Sequence, residues 1–219
     1  MSEIVVVVGA GPGLGRSIAL RFAREGADIA LLARSAQRLE PLVDEVEALG
    51  VRVEGVGADV ADEASLRAAL ADVRRSLGDP AVLVYNASEY VEGAPTAVGY
   101  ADFVHGLLVG VGGALVALQE VAPSMRAAGR GTVLLTGSEA AVRPYPGAAG
   151  LGVAKAGLRS LALSAAAELR PDRVHVSTVT IRGRLKAGTA FDPDLVADHY
   201  WRLHVQPESE WEPELVLDR

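Results

Sequence analysis

The stretch IVVVVGAGPGLG, residues 4–15, decides the fold of this chain. Ile4–Val8 is an unbroken run of β-branched residues, as expected for a strand that is buried on both faces. A glycine-rich turn follows it, and Ser17–Glu25 then has the apolar spacing of a helix and ends at Gly26. Strand, glycine turn and helix in this order predict the first unit of an α/β sheet.

The rest of the chain repeats the same alternation of strand and helix. Strands are predicted at Asp28–Ala33, Val51–Val60, Ala81–Tyr85, Thr132–Leu135, Val174–Ile181 and Glu214–Leu217. Helices are predicted at Ser35–Leu49, Asp62–Leu77, Tyr100–Ala128, Leu151–Leu169 and from Asp192-Pro193 to Leu203. Pro41 predicts that the helix over 35–49 is kinked or starts late. The alternation predicts one domain over residues 1–219, a doubly wound parallel sheet in three α/β/α layers with a short C-terminal helix and strand.

Composition excludes several classes of protein. The 219 residues include no cysteine, so a disulfide scaffold, a thiolate metal site and a cysteine nucleophile are excluded. With 21 basic and 28 acidic residues the net charge is −7, which leaves no basic footprint for nucleic acid or anionic lipid. The first residues make a poor signal peptide, and the longest apolar stretch, residues 107–118, is short and contains three glycines. We therefore expect a cytoplasmic protein with no membrane span, no metal site and no nucleic-acid partner.

The glycine turn has the composition of a phosphate-binding loop. Glycine allows a sharp turn and a close approach of a pyrophosphate to the helix N-terminus, where free N–H groups and the helix dipole favour anions. The alternative is a tight turn with no ligand, but the strand before it and the helix after it are the context that dinucleotide binding requires. The candidate contacts are Gly9, Gly11, Gly13, Leu14 and Gly15.

Five motifs occur in the order found in one known family. They are the spacing of Gly9, Gly13 and Gly15, the pair Asp59-Val60, the triplet Asn86-Ala87-Ser88, Gly137-Ser138, and Lys155 within VAKAG. Over nearly the whole chain this pattern resembles the short-chain dehydrogenase/reductase family, with Ser88 in place of that family's glycine. The resemblance implies a Rossmann-like NAD(P)-binding domain and adds Asp59, Val60, Asn86 and Ala87 to the expected cofactor contacts.

The end of the second strand predicts which nicotinamide cofactor binds. An acidic residue there would bind the 2′-hydroxyl of NAD, whereas an arginine accommodates the 2′-phosphate of NADP. Here Ala33 takes the acidic place and Arg34 follows, with Ser35 as a further hydroxyl donor. Arg34 could instead only cover the start of the next helix. The charge pattern favours NADP(H) over NAD(H).

The resemblance also implies a catalytic set, and this chain lacks part of it. Ser138 and Lys155 match the family's serine, which holds the substrate oxygen, and its lysine, which binds the ribose and lowers the pKa of a tyrosine. That tyrosine position is Leu151, thirteen residues after Ser138, and leucine has no proton to exchange. The family's supporting asparagine falls on Gly110. Ser138 could instead cap the backbone, and Lys155 could be a surface lysine.

Tyr145 is a candidate replacement proton donor, because its loop lies between Ser138 and Lys155 and normally borders the substrate in the family. Packing or substrate stacking is the alternative role for this ring.

Three hypotheses for function follow. The first is an oxidoreductase that acts on a small carbonyl or alcohol with impaired or altered proton transfer. The second is a non-redox enzyme on the same scaffold, and the third is a catalytically inactive regulator that binds the cofactor. The glycine-rich helix over 100–128 would allow close helix contact, and the resemblance implies a homodimer or homotetramer; local distortion of that helix is the alternative.

Overall fold

A single seven-stranded sheet forms the centre of the molecule in a computed structural model that describes residues 2–218. All neighbouring strands pair in parallel, in the order β3-β2-β1-β4-β5-β6-β7. The strands are β1 (Ile4–Val8), β2 (Asp28–Ala33), β3 (Val53–Gly57), β4 (Val82–Tyr85), β5 (Gly131–Ser138), β6 (Val174–Ile181) and β7 (Glu214–Leu217). This topology confirms the predicted doubly wound parallel sheet.

Helices cover both faces of the sheet, as the alternation predicts. They are α1 (Leu14–Ala23), α2 (Glu40–Glu47), α3 (Glu63–Ser76), α4 (Tyr100–Leu107), α5 (Gly113–Ala128), α6 (Ala149–Leu169) and α7 (Pro193–Val205). Helices α1, α2 and α7 pack with Val5 and Val7 on one face, whereas α3, α5 and α6 pack with Val6 and Val8 on the other. Because both faces of β1 are buried, its sequence is apolar at every position rather than alternating.

The bounds of several elements differ from prediction by a few residues. A 3₁₀ turn over Ala36–Leu39 precedes α2, so this helix starts late and takes Pro41 into its first turn, where the missing N–H costs nothing. Strand β3 ends at Gly57 rather than at residue 60, because the Asp59 carboxylate accepts the Ala61 N–H at 2.9 Å and turns the chain.

The long helix predicted over Tyr100–Ala128 is interrupted by a π turn at Leu108–Gly112. A Cβ on Gly110 would lie 2.8 Å from the Ala154 Cβ of α6, and a Cβ on Gly113 would collide with the Tyr85 hydroxyl. These glycines therefore allow close contacts within the chain, where the sequence suggested a contact between subunits. The alternative prediction was a local distortion of this helix, and the π turn is such a distortion.

The same helical run corrects the expectation about membrane spans. Within residues 2–218, the helical run Tyr100–Ala128 is long and apolar enough to cross a membrane by length and composition, and an 18-residue window of it has a mean hydropathy of 1.8. The apolar stretch over 107–118 is shorter than this helical run, because the run continues beyond both ends of that stretch. Its inner side is nevertheless buried against the sheet at Ala114, Ala117 and Val121, as in the core helix of a globular protein.

Candidate functional site

A cleft opens at the carboxyl edge of the sheet, where the strand order reverses. Strands β2 and β4 lie on opposite sides of β1, so the loops after β1 and β4 diverge and leave a crevice between them. Two adjoining cavities of about 530 and 410 Å³ form the cleft, and Gly9, Gly11, Asn86 and Ser88 line both. A two-part ligand can therefore lie across both cavities.

The glycine turn forms the floor between the two cavities. Gly9 has a φ of +88°, and a Cβ there would lie 2.5 Å from the Ala87 backbone nitrogen, so only glycine allows β1 and β4 to come this close. A Cβ on Gly11 or Gly13 would instead meet open space. Helix α1 then starts at Leu14 with no side-chain cap on its first N–H groups. The turn thus fits a pyrophosphate that approaches the backbone and the helix N-terminus.

The smaller cavity contains the residues predicted to bind the adenosine half of a dinucleotide. Ala33, Arg34, Asp59 and Val60 line it, together with Ala87. Arg34 is exposed, and within the described residues its guanidinium forms no hydrogen bond or ion pair with a protein group. An unpaired guanidinium in a cleft is suited to phosphate.

Ser35 lies beside this cavity but does not line it. Its hydroxyl contacts the side-chain oxygen of Gln37 at 3.1 Å. Its predicted contact with the cofactor stays a prediction.

The larger cavity brings Ser138 and Lys155 together. The Ser138 hydroxyl accepts a hydrogen bond from the Ala140 N–H at 3.2 Å, so this side chain caps the backbone and lines the cleft at the same time. Lys155 is buried, with 5% of its surface exposed, and its Nζ donates to the Thr136 carbonyl at 2.7 Å. Burial lowers the pKa of this ammonium from its usual value to about 8.

A buried chain of hydrogen bonds supports the floor of the cleft. Asn86 donates from Nδ2 to the Gly9 carbonyl at 3.0 Å, and its Oδ1 accepts from the Thr136 hydroxyl at 3.0 Å. The Tyr200 hydroxyl lies 2.7 Å from the Thr136 hydroxyl and donates to it, since the Thr136 proton is engaged with Asn86. Tyr200 is fully buried, and burial raises its pKa.

Sequence reasoning missed Thr136 and Tyr200. Tyr200 reads as one more residue of a helical pattern, and no local signal pairs it with a strand residue 64 positions away.

Comparison with known proteins fits this geometry. The family model described as short chain dehydrogenase matches residues 3–185. The 3-oxoacyl-[acyl-carrier-protein] reductase FabG of Staphylococcus aureus is 31% identical over 180 residues, which cover 82% of this chain and 73% of that protein.

The chain belongs to the short-chain dehydrogenase family.

Solved structures superpose on the chain over most of its length. A short-chain dehydrogenase from Rhodopseudomonas palustris has a TM-score of 0.90 at 31% identity and covers 99% of this chain and 98% of its own. A metagenomic short-chain oxidoreductase in complex with NADP has a TM-score of 0.90 at 30% identity, with 99% and 97% covered. An NAD⁺-bound xylitol dehydrogenase is more distant, with a TM-score of 0.79 at 28% identity and 90% and 82% covered. The resemblance stated from the sequence is therefore confirmed at the level of family and fold.

As a short-chain dehydrogenase, this chain has a leucine one helical turn before its buried lysine. Leu151 and Lys155 are four residues apart on α6 and so share a face of that helix. Leu151 is partly buried and lines neither cavity of the cleft.

The structure does not bring Tyr145 to the cleft. About half of its surface, 49%, is exposed, and neither cavity is lined by it. Its catalytic role stays a prediction that would require the loop to move.

The segment after β6 adds residues to the cleft that are not among the predicted site residues. Gly183, Arg184 and Leu185 line the larger cavity opposite the glycine turn. A separate cavity of about 360 Å³ lies at the start of β6, and none of the predicted site residues lines it. Within residues 2–218 no cluster of three or more histidine or carboxylate side chains is placed to hold a metal ion.

Proposed function

We propose that this short-chain dehydrogenase is an NADP(H)-binding oxidoreductase that acts on a small carbonyl compound or alcohol. The observation that supports it is that one continuous cleft is lined by Arg34 at one end, by the glycine turn in the middle, and by Ser138 and Lys155 at the other end. The NADP complex of the metagenomic relative supports the choice of cofactor.

The chain's own groups suggest how each part of the cofactor is held. Arg34 offers a planar pair of donors to a 2′-phosphate, and no acidic residue at position 33 opposes it. The N–H groups at the start of α1 have no side-chain cap, which suits them to bind a pyrophosphate. Lys155 uses one of its three donors on the Thr136 carbonyl, which leaves two for ribose hydroxyls.

Reduction of a carbonyl needs a hydride on carbon and a proton on oxygen. The bound nicotinamide supplies the hydride, and the protein supplies placement and the proton. Ser138 and Lys155 are hydrogen-bond donors in the cavity, and with a pKa of about 8 the Lys155 ammonium is mostly protonated at neutral pH. Because Leu151 has no proton, we propose that turnover of ordinary ketones is slow.

Leu151 also favours a second candidate function. A member of this family that lacks the hydroxyl at this position can bind the cofactor without redox turnover, as a regulator or as a non-redox enzyme. Loss of the reduced-nicotinamide absorbance against a panel of ketones and aldehydes supports the oxidoreductase, whereas tight NADPH binding with no loss of absorbance supports the second candidate.

The cofactor proposal predicts a preference that Arg34 creates. NADPH should bind more tightly than NADH in titration calorimetry, and Arg34→Ala should remove most of the difference, about 1.5–3 kcal/mol for a hydrogen bond to a charged group. Arg38→Ala is the matched control, since Arg38 is exposed on the next turn and lines neither cavity. Equal affinities of the unmutated protein for both cofactors would contradict the proposal.

A further inference from the structure

Arg184 is an arginine in the catalytic half of the cleft that has no protein partner. It follows β6 and lines the larger cavity with Ser138 and Lys155. Across residues 2–218 its side chain forms no hydrogen bond or ion pair, whereas its neighbour Arg182 is paired with Asp218 at 3.1 Å. Arg184 is exposed, so its guanidinium is available to a ligand.

The charge of this cavity is opposite in sign to that of the whole protein. The chain has 28 acidic residues and a net charge of −7. None of those acidic residues lines the larger cavity, whereas Lys155 and Arg184 both do. A concave surface with cations and no carboxylate attracts anions and rejects cations.

The segment that holds Arg184 is fixed to the fold rather than left as an open loop. The Lys186 N–H donates to the Phe191 carbonyl at 3.1 Å, and the Gly188 N–H donates to the Asp192 carboxylate at 2.7 Å. Asp192 also caps the start of α7. These bonds keep the backbone beside Arg184 in place at the mouth of the cleft.

The anions of the cofactor have other partners in this cleft. Arg34 is at the far end, in the smaller cavity, and the glycine turn offers its backbone N–H groups to a pyrophosphate. Arg184 shares its cavity with the glycine turn and also with Ser138 and Lys155, the two residues proposed to act on the substrate.

We propose that Arg184 binds an anionic group on the substrate, a carboxylate or a phosphate, so that the protein acts on small anionic carbonyl compounds or alcohols. This inference rests on the proposed function and narrows its substrate class. A guanidinium suits the task because its parallel N–H groups bind two oxygens of one carboxylate or phosphate. Since Arg184 is exposed, the contact is sensitive to salt.

The test compares ligands that differ only in charge. The protein is saturated with NADP⁺, so that no ketone can be reduced, and is titrated with 2-, 3- and 4-oxopentanoate and with their methyl esters. At least one acid should bind about 10- to 100-fold more tightly than its ester, the range expected for a hydrogen bond to a charged group. Arg184→Gln should abolish that preference and leave the affinity for NADP⁺ unchanged.

Lys186→Gln is the matched control, because it removes the same charge from the same segment at a residue that does not line the cavity. It should retain the preference for the acid. Esters that bind as well as acids would overturn the inference and leave the cofactor proposal standing. A large loss of NADP⁺ affinity in Arg184→Gln would assign this arginine to the cofactor pyrophosphate and overturn the inference as well. Failure of the unmutated protein to bind NADP⁺ or NADPH would overturn both proposals.

Discussion

At the scale of single residues, Lys155 is a buried charged group in the cleft. Its ammonium is buried beside the Thr136 carbonyl, and desolvation holds its pKa at about 8, below the usual 10.5. A buried base with a lowered pKa costs stability while it is charged. Because the unfolded chain keeps the proton to higher pH than the folded chain, the free energy of unfolding rises as the pH increases from about 8 toward 10.5.

Lys155→Met should therefore stabilise the cofactor-free protein at pH 7. Removal of the buried charge contributes up to about 3 kcal/mol, and loss of the hydrogen bond to Thr136 offsets about 1 kcal/mol of it. Urea unfolding at pH 7 and at pH 9.5 measures the effect, and the gain should shrink at the higher pH. An equal difference at both values would show that Lys155 does not titrate in this range.

The resemblance implies that Leu151 takes the position of the family's catalytic tyrosine, and this stays a prediction. Leu151→Tyr places a phenol one turn before Lys155, on the same face of α6. It should raise the rate of reduction of an activated ketone by about 10²–10⁴-fold, the contribution of a positioned general acid.

Leu151→Phe is the control for this variant, because it adds the ring without the hydroxyl and should not raise the rate. Brisk turnover by the unmutated protein that survives Tyr145→Phe would show that neither tyrosine position is needed, and would contradict the prediction.

At the scale of elements, close packing against α6 explains the glycines in the run from α4 to α5. The π turn at Leu108–Gly112 presents Gly110 to Ala154 of α6 at a distance that no side chain allows. Gly157 of α6 likewise faces Val111, with 3.0 Å between an added Cβ and the valine methyl group. Each glycine weakens an isolated helix, and the close packing of two helices on one side of the sheet compensates.

Two glycines of the same π turn should respond in opposite ways to alanine. Gly110→Ala should lower the free energy of unfolding by about 1–3 kcal/mol, because its Cβ overlaps Ala154. A Cβ on Gly112 has its nearest neighbour at 3.6 Å, so Gly112→Ala should be neutral or stabilising by up to about 1 kcal/mol. Chemical denaturation of both variants measures this difference, and equal effects would refute the packing explanation.

At the scale of the whole molecule, apolar side chains remain exposed on one helical layer. Leu108 and Leu115 lie on the π turn and α5, and Val153 lies on the adjacent α6, with 44%, 41% and 48% of their surface exposed. We propose that this layer packs against a second copy in a homodimer or homotetramer.

Leu115→Glu should shift this assembly toward monomer in light scattering at micromolar concentrations, because a charge in a desolvated interface is unfavourable. Leu195→Glu is the control, since Leu195 is exposed to 55% on α7, on the opposite face of the sheet, and should leave this contact intact. A monomeric unmutated protein would rule out the proposed assembly.

The sequence by itself determined the architecture and the positions to examine. The features that determined them are local or evenly spaced, so they can be recognised one after another along the chain. They are the strand and helix periods, the glycine turn, and the spacing of Ser138, Leu151 and Lys155. Once the strands pair in parallel, their carboxyl ends meet at one edge, and residues just after strands gather there.

Only the tertiary structure decided which side chains share the cleft. It placed Arg184 in the cavity with Lys155 and left Tyr145 outside, and it connected Tyr200 to Asn86 through Thr136. It also gave the glycines of the π turn a packing partner on α6. These outcomes depend on how distant elements pack and on which buried polar atoms find partners, and neither the period nor the spacing of a sequence encodes that.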